Sequence, residues 1–330
     1  MEGASEGDEN DSQVKTRFGI AIAAICAAAV CFGAPAKKKR SAEPRRPAAA
    51  SSVKAAPESA FRRTPYVGAI SADAESGRIL FSDNAEREAY PASVTQLMTA
   101  LLVLEDVKKG RYSLKDKVVA TAEAYQSEPS WIGIKAGQSM SVDDLLMALM
   151  VMSANDAAVV LAVNSAGSLP AFVERMNARA AELGMKNTAY YNPSGLPPSA
   201  RRRYPWKKFN RSTAADQLKL ALEIIKHPEI FKYTSTKVAT VVDGNGKSVN
   251  VLNHNRIMRM DKFKIFNPDG SEAVDGLKTG YINAGGSSIV LTGRRGGRRA
   301  IVVVLGSINA NTREEHASRL LKDALGALCW

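Results

Sequence analysis

The chain has 330 residues, of which 45% are apolar and 24% charged, so most of it folds around a sizeable core. Three cysteines exclude a disulfide framework, and three histidines scattered at 227, 254 and 316 exclude a histidine metal cage. The net charge of +12 raises a nucleic-acid reading, but residues 37–63 alone carry nine Lys/Arg against two Glu, so the excess belongs largely to one segment.

Residues 18–36, FGIAIAAICAAAVCFGAPA, carry no charge. As a helix the run would just cross a hydrocarbon core, and Ala34-Pro35-Ala36 ends it with small residues. Residues 1–36 are read as a signal peptide or a retained membrane anchor. The acidic opening MEGASEGDENDSQ and the cluster Lys37 to Arg40 oppose that orientation. Residues 37–63, with Pro44, Pro47, Pro57 and an Ala/Ser tract, have linker composition, and residues 64–330 form the folded domain.

From Tyr66 the pattern alternates, and YVGAISADAESGRILFS reads as a hairpin. Pro91 opens a helix with Leu97, Ala100, Leu101 and Leu104 on one stripe. Ser141, followed by Asp143 and Asp144, starts a second. Helices are expected over Asn155 to Val163, over Pro170 to Leu183 with Gly184 closing it, and over Thr213 to Lys226. Residues 192–211 form a loop rich in Pro and Arg. Strands are expected at Lys237 to Val242, Ser248 to Leu252, Ser287 to Thr292 and Ala300 to Leu305, with Gly293 to Arg299 as the last turn and a helix over 312–328. Strands first and last with helices between make an α+β order.

Three motifs occur in sequence: Ser93-Val94-Thr95-Gln96, Ser153-Ala154-Asn155 and Lys278-Thr279-Gly280. A serine in a helix's first turn meets free N–H groups that favour a developing oxyanion, and positions 93 and 96 face one way. Ser153 and Asn155, on a loop between helices, offer a hydroxyl and an amide. A strand bearing Lys, Thr and Gly offers a charge and a hydroxyl to a carboxylate, and a close backbone approach.

In their contexts, PASVTQLMTALLVLE, LLMALMVMSANDAAVVLA and VDGLKTGYINAGG, these motifs resemble the D-alanyl-D-alanine carboxypeptidases, the low-molecular-mass penicillin-binding proteins of serine peptidase family S11. The resemblance covers roughly residues 62–328 and includes FVERMNARAAELGM, the NPSGL loop, the STAAD helix start and Asn253-His254-Asn255. It implies a penicillin-binding/serine β-lactamase-like transpeptidase fold: an antiparallel sheet packed with helices, plus an all-helical subdomain. It further implies Ser93 as nucleophile, the backbone N–H groups of Ser93 and Tyr281 as oxyanion hole, and Lys278, Thr279, Gly280 and Asn155 as substrate contacts. Peptidoglycan stem peptides and β-lactams are the implied partners, outside the cytoplasmic membrane, with no cofactor and no metal. A monomer is expected, and no nucleic-acid role.

Gln96 departs from the family, which has lysine there as the base for the serine. A glutamine amide has no usable basic lone pair. Three readings follow: a slow enzyme, an enzyme with a rearranged base, or a peptidoglycan-binding pseudoenzyme. The mixed basic and aromatic stretch Arg201 to Phe209 is read as solvated or as touching anionic wall polymer, and His254 as a structural residue.

Overall fold

In the computed structural model of this chain, residue 63 and residues 65–124, 129–199 and 207–329 are described. The apolar run 18–36, the linker as far as residue 62 and the Arg201 to Trp206 part of the basic loop lie outside the described residues. Among the described residues no single helix is long and apolar enough to cross a membrane.

Five strands form one antiparallel sheet: β1 (Gly68–Asp73), β2 (Ile79–Asp83), β7 (Val274–Ile282), β8 (Gly286–Arg295) and β9 (Arg298–Ser307), in the order β2-β1-β9-β8-β7. The first strand thus lies against the last, with Ile70 opposite Val303, which ties the two ends of the described domain together. Side chains of β9 alternate between two cores, as a period of two demands. Ile301, Val303 and Leu305 join the helical side. Ala300, Val302 and Val304 join the side covered by α8 (Ala310–Ala327), through its Ala317, Leu320 and Leu321.

The helical side holds α1 (Gln96–Lys108), α2 (Val142–Val151), α3 (Asn155–Ala166), α4 (Leu169–Glu182) and α5 (Ala214–Ile224). The expected stripe on α1 is buried, but so is every residue from Gln96 to Leu104. A helix apolar on all sides belongs in the middle of a core, and α1 is the central helix here. Asp106 at its end is fully buried and binds Arg175 of α4, Arg111, and the Ser165 hydroxyl of α3. One carboxylate therefore joins three helices. Burial opposes its ionisation, but the Arg175 and Ser165 contacts prevail and hold its pKa below the ordinary aspartate value.

The local signals hold where they are local. Ser141 caps α2 by accepting from the Asp144 N–H, Ser168 caps α4 by accepting from the Ala171 N–H, and Gly184 after α4 is left-handed at φ +67°. The turn of the last hairpin differs from the sequence reading, and several small elements add to it. The β8–β9 ladder continues through Arg294–Arg299 and Arg295–Arg298, so the turn is Gly296-Gly297 alone, both at positive φ, the geometry a two-residue hairpin needs. The strands β5 (Val238–Val242) and β6 (Ser248–Leu252) pair only with each other, a ribbon resting on α2 through Val241 and Val251. A five-residue helix, α6 (Ile230–Thr234), follows Pro228, and a small ribbon joins β3 (Lys117–Val119) to β4 (Ser139–Ser141). A four-residue helix, α7 (Arg256–Arg259), precedes β7.

Candidate active site

The nucleophile motif does not open inside an α-helix. Ala92–Thr95 form a 3-10 turn, and α1 begins at Gln96. Ala92 stands at φ 51°, which breaks the path from Pro91 into a regular helix. A 3-10 turn eclipses positions three apart, so Ser93 and Gln96 still share a side. Two glycines fit against this turn. A Cβ on Gly280 of β7 would lie 2.7 Å from the Pro91 carbonyl and 2.9 Å from the Ser93 nitrogen, and one on Gly195 of the NPSGL loop would lie 1.9 Å from the Ala92 carbonyl. The strand and the loop therefore clamp the nucleophile turn from two sides, and neither position has room for a side chain.

Ser93, Ser153, Thr279, Gly280 and Tyr281 line one cavity of about 530 Å³. Its other walls are Pro129 and Ser130, His254, Ser287, and Ile308, Asn309, Ala310 and Arg313 at the start of α8. Tyr281 is exposed at the mouth, its hydroxyl donating to Asn283 Oδ1 at 2.7 Å. Gln96, Asn155 and Lys278 lie buried. The Gln96 amide is saturated: Nε2 donates to Asn155 Oδ1 at 3.1 Å, Ser153 O at 3.3 Å and Ser194 O at 3.4 Å, and Oε1 accepts from Ser153 Oγ at 3.1 Å. This network fixes the amide's orientation. It also surrounds a nitrogen that has two hydrogens with three acceptors, a set better matched to an ammonium.

Ser153 is held at φ 65°, in the left-handed region that non-glycine residues rarely adopt. Next to it, α3 fixes the far wall. The Asn155 N–H donates to Ser130 O at 2.7 Å, and the Asp156 carboxylate accepts from the backbone N–H groups of Ile132, Gly133, Ile134 and Ala157. Burial raises the Asp156 pKa, and these donors oppose the rise.

Lys278 on β7 is only 2% exposed, and its Nζ donates to its neighbour's carbonyl, Thr279 O, at 3.0 Å. No carboxylate pairs with it among the described residues. Burial first, and then the Arg313 charge, bring its pKa down to about 7. Arg313 is buried too. It pairs with Glu314, donates to the carbonyls of Gly280 and Ser288, and keeps an unpartnered Nε.

Sequence reasoning placed Ser93, Gln96, Ser153, Asn155 and Lys278 to Tyr281, and the structure brings all of them to this cavity or directly beneath it. It missed Arg313, which reads in NTREEHASRL as one more charge on a solvated helix. It also missed the Ser130 wall, whose loop carries no motif. His254, read as structural, does donate its backbone N–H to Val151 O, but the residue also lines the cavity.

An antiparallel sheet with a helical layer on one face, and a serine turn clamped by a Lys-Thr-Gly strand, define the class of penicillin-recognising serine proteins. Within that class the chain belongs to the D-alanyl-D-alanine carboxypeptidase family, Peptidase_S11, which matches residues 63–309. The D-alanyl-D-alanine carboxypeptidase DacF of Bacillus subtilis is 32% identical over 253 residues, 77% of this chain and 60% of that protein. DacD of Escherichia coli is 33% identical over 257 residues, with 76% and 60% covered. The chain thus spans about three-fifths of the length of these curated relatives. Among solved structures, a peptidoglycan synthesis regulatory factor (PBP3) from Streptococcus pneumoniae superposes with a TM-score of 0.69 at 30% identity, over 78% of this chain and 72% of that one. Penicillin-binding protein D2 from Listeria monocytogenes, in its ampicillin-bound form, gives 0.63 at 29% identity over 79% and 97%.

Proposed function

We propose that this chain acts as a serine D-alanyl-D-alanine carboxypeptidase-like protein on peptidoglycan stem peptides, forming an acyl-Ser93 intermediate slowly. In this reading the Ser93 hydroxyl attacks the penultimate D-Ala carbonyl, the bond to the terminal D-Ala breaks, and water later releases the ester. The Ser93 and Tyr281 backbone N–H groups hold the oxyanion. Thr279, Arg313 and Lys278 attract the terminal carboxylate, and Asn155 holds the amide network beneath. The clamped turn at Ser93, facing the Lys-Thr-Gly strand across one cavity, supports an acylation site.

The saturated Gln96 amide is the observation that makes the reaction slow. It accepts a hydrogen bond from Ser153 but takes no proton, and losing a positioned base lowers a rate by roughly 10² to 10⁴. The same observation favours a second reading, in which the protein binds stem peptides without turning them over. Mass spectrometry of the intact protein after prolonged incubation with ampicillin separates the two. We expect a covalent adduct that maps to Ser93 and is absent from Ser93→Ala. An unmodified parent protein leaves the binding reading standing.

Assembled peptidoglycan lies outside the cytoplasmic membrane, so the domain is expected there, exported by residues 18–36, the apolar run of this sequence. A reporter fused after Trp330 and functional only outside the cytoplasm should be active. Activity of a cytoplasm-restricted reporter at the same position would remove both the topology and the peptidoglycan reading.

A further inference from the structure

Among the described residues that line the cavity, Arg313 is the one cation and none is a carboxylate. His254 lines the same cavity, and charges from three elements act on it: Lys278 on β7, Arg259 on α7 and Arg313 on α8. Glu314, next to Arg313 on α8, pairs with Arg313. His254 lines the cavity with its ring partly buried, and the ring has no hydrogen-bond partner among the described residues. A positive charge on the ring would face three others with nothing to answer it. Burial and then the three cations push its pKa down to about 4, so the empty cavity holds a neutral imidazole. The sequence reading gave this residue no role in recognition.

Resting on the stem-peptide reading above, we infer that His254 is a specificity-determining residue of this cavity, taking up a proton as a ligand carboxylate enters and supplying a charge the empty site lacks. The physics is reciprocal. A carboxylate held in the cavity beside Arg313 and His254 offsets the field that kept the ring neutral, so the ring's proton affinity rises on binding. By linkage, the protonated site then binds the carboxylate more tightly. The sign follows: affinity grows as pH falls toward the free-site value, because the bound state holds more protons. Lys278 adds a separate linkage centred near neutrality, which is nearly complete by about pH 6 because its amine is already charged there.

An N-acetylated tripeptide ending in D-Ala-D-Ala, titrated calorimetrically into full-length protein carrying Ser93→Ala, tests this without acyl-enzyme forming. Heats measured near pH 6 in two buffers of different ionisation enthalpy give the protons taken up. If binding returns the ring to about its ordinary pKa of 6.5, the uptake is roughly three quarters of a proton, and adding His254→Gln should reduce it to about a tenth. The same substitution should remove about tenfold from the tightening between about pH 7.5 and pH 5.5. His254→Arg, charged at every pH, should keep only the tightening that Lys278 supplies, about fourfold between about pH 7.5 and pH 5.5. Binding with equal proton uptake in the parent and His254→Gln overturns this inference alone. No binding at either pH overturns the stem-peptide reading and this inference with it.

Discussion

Gln96→Lys should raise the rate of Ser93 acylation by about 10² to 10⁴, the range that one well-placed general base supplies. The surroundings favour the change. Position 96 is fully buried, and the acceptors now shared by two amide hydrogens, Ser153 O, Asn155 Oδ1 and Ser194 O, suit the three donors of an ammonium. Burial would lower the new amine's pKa toward neutrality, which leaves a share of it unprotonated and able to accept the Ser93 proton. Ser153, whose hydroxyl now donates to Gln96 Oε1, would sit beside that amine. Acylation by a β-lactam, followed side by side for the two proteins by stopped reaction and mass analysis, decides the matter. Equal rates would mean that the proton already has another acceptor and that position 96 is not where the deficit lies.

The second large effect is expected from Lys278→Ala. A charge-assisted contact to the terminal carboxylate contributes on the order of 1.5 to 3 kcal/mol, so affinity for a D-Ala-D-Ala peptide should fall by roughly tenfold to a hundredfold. The structure adds a condition. The amine's pKa stands near 7 through burial and the Arg313 charge, so the loss should be complete below neutrality and shrink above it. Lys278→Met, which fills most of the same space, separates loss of charge from loss of packing at a residue only 2% exposed. Ser93→Ala should by contrast abolish acylation and leave affinity nearly intact. Calorimetry on all three variants reads out the result. Unchanged affinity in Lys278→Ala and Lys278→Met would transfer the carboxylate contact wholly to Arg313 and Thr279.

The parts of this molecule legible in the sequence are those specified by neighbours along the chain. The cap at Ser141 needs only the amide three residues ahead, and the stripe on α1 needs only helical spacing. The three motifs were legible because their residue types are costly to combine by accident. What stayed hidden depends on contacts between distant segments. Arg313 looks like any charge on an amphipathic helix until Gly280 and Ser288 present their carbonyls to it. His254 reads in the sequence as a structural residue, and only the assembled fold brings it to the cavity that Arg313 also lines. Pairing of β5 with β6, and with nothing else, could not be read from two apolar runs, because alternation specifies a buried face and not a partner. The break before α1 escaped notice because Ala92 carries no mark of a left-handed residue.

That break also bears on whether the pocket is a relic. Ala92 and Ser153 both sit in left-handed backbone conformations, each unfavourable by about 1 to 3 kcal/mol for a residue with a side chain. Glycine or asparagine at either place would relieve much of the strain without disturbing the helices behind it. A chain drifting free of any duty at this cavity gains stability by accepting such changes, and filling Gly280 or Gly195 would close the turn altogether. This sequence carries an amide at position 96 together with both strained residues and both bare glycines. The backbone around Ser93 thus holds its cavity open at a cost in stability that the packed core behind it has to offset.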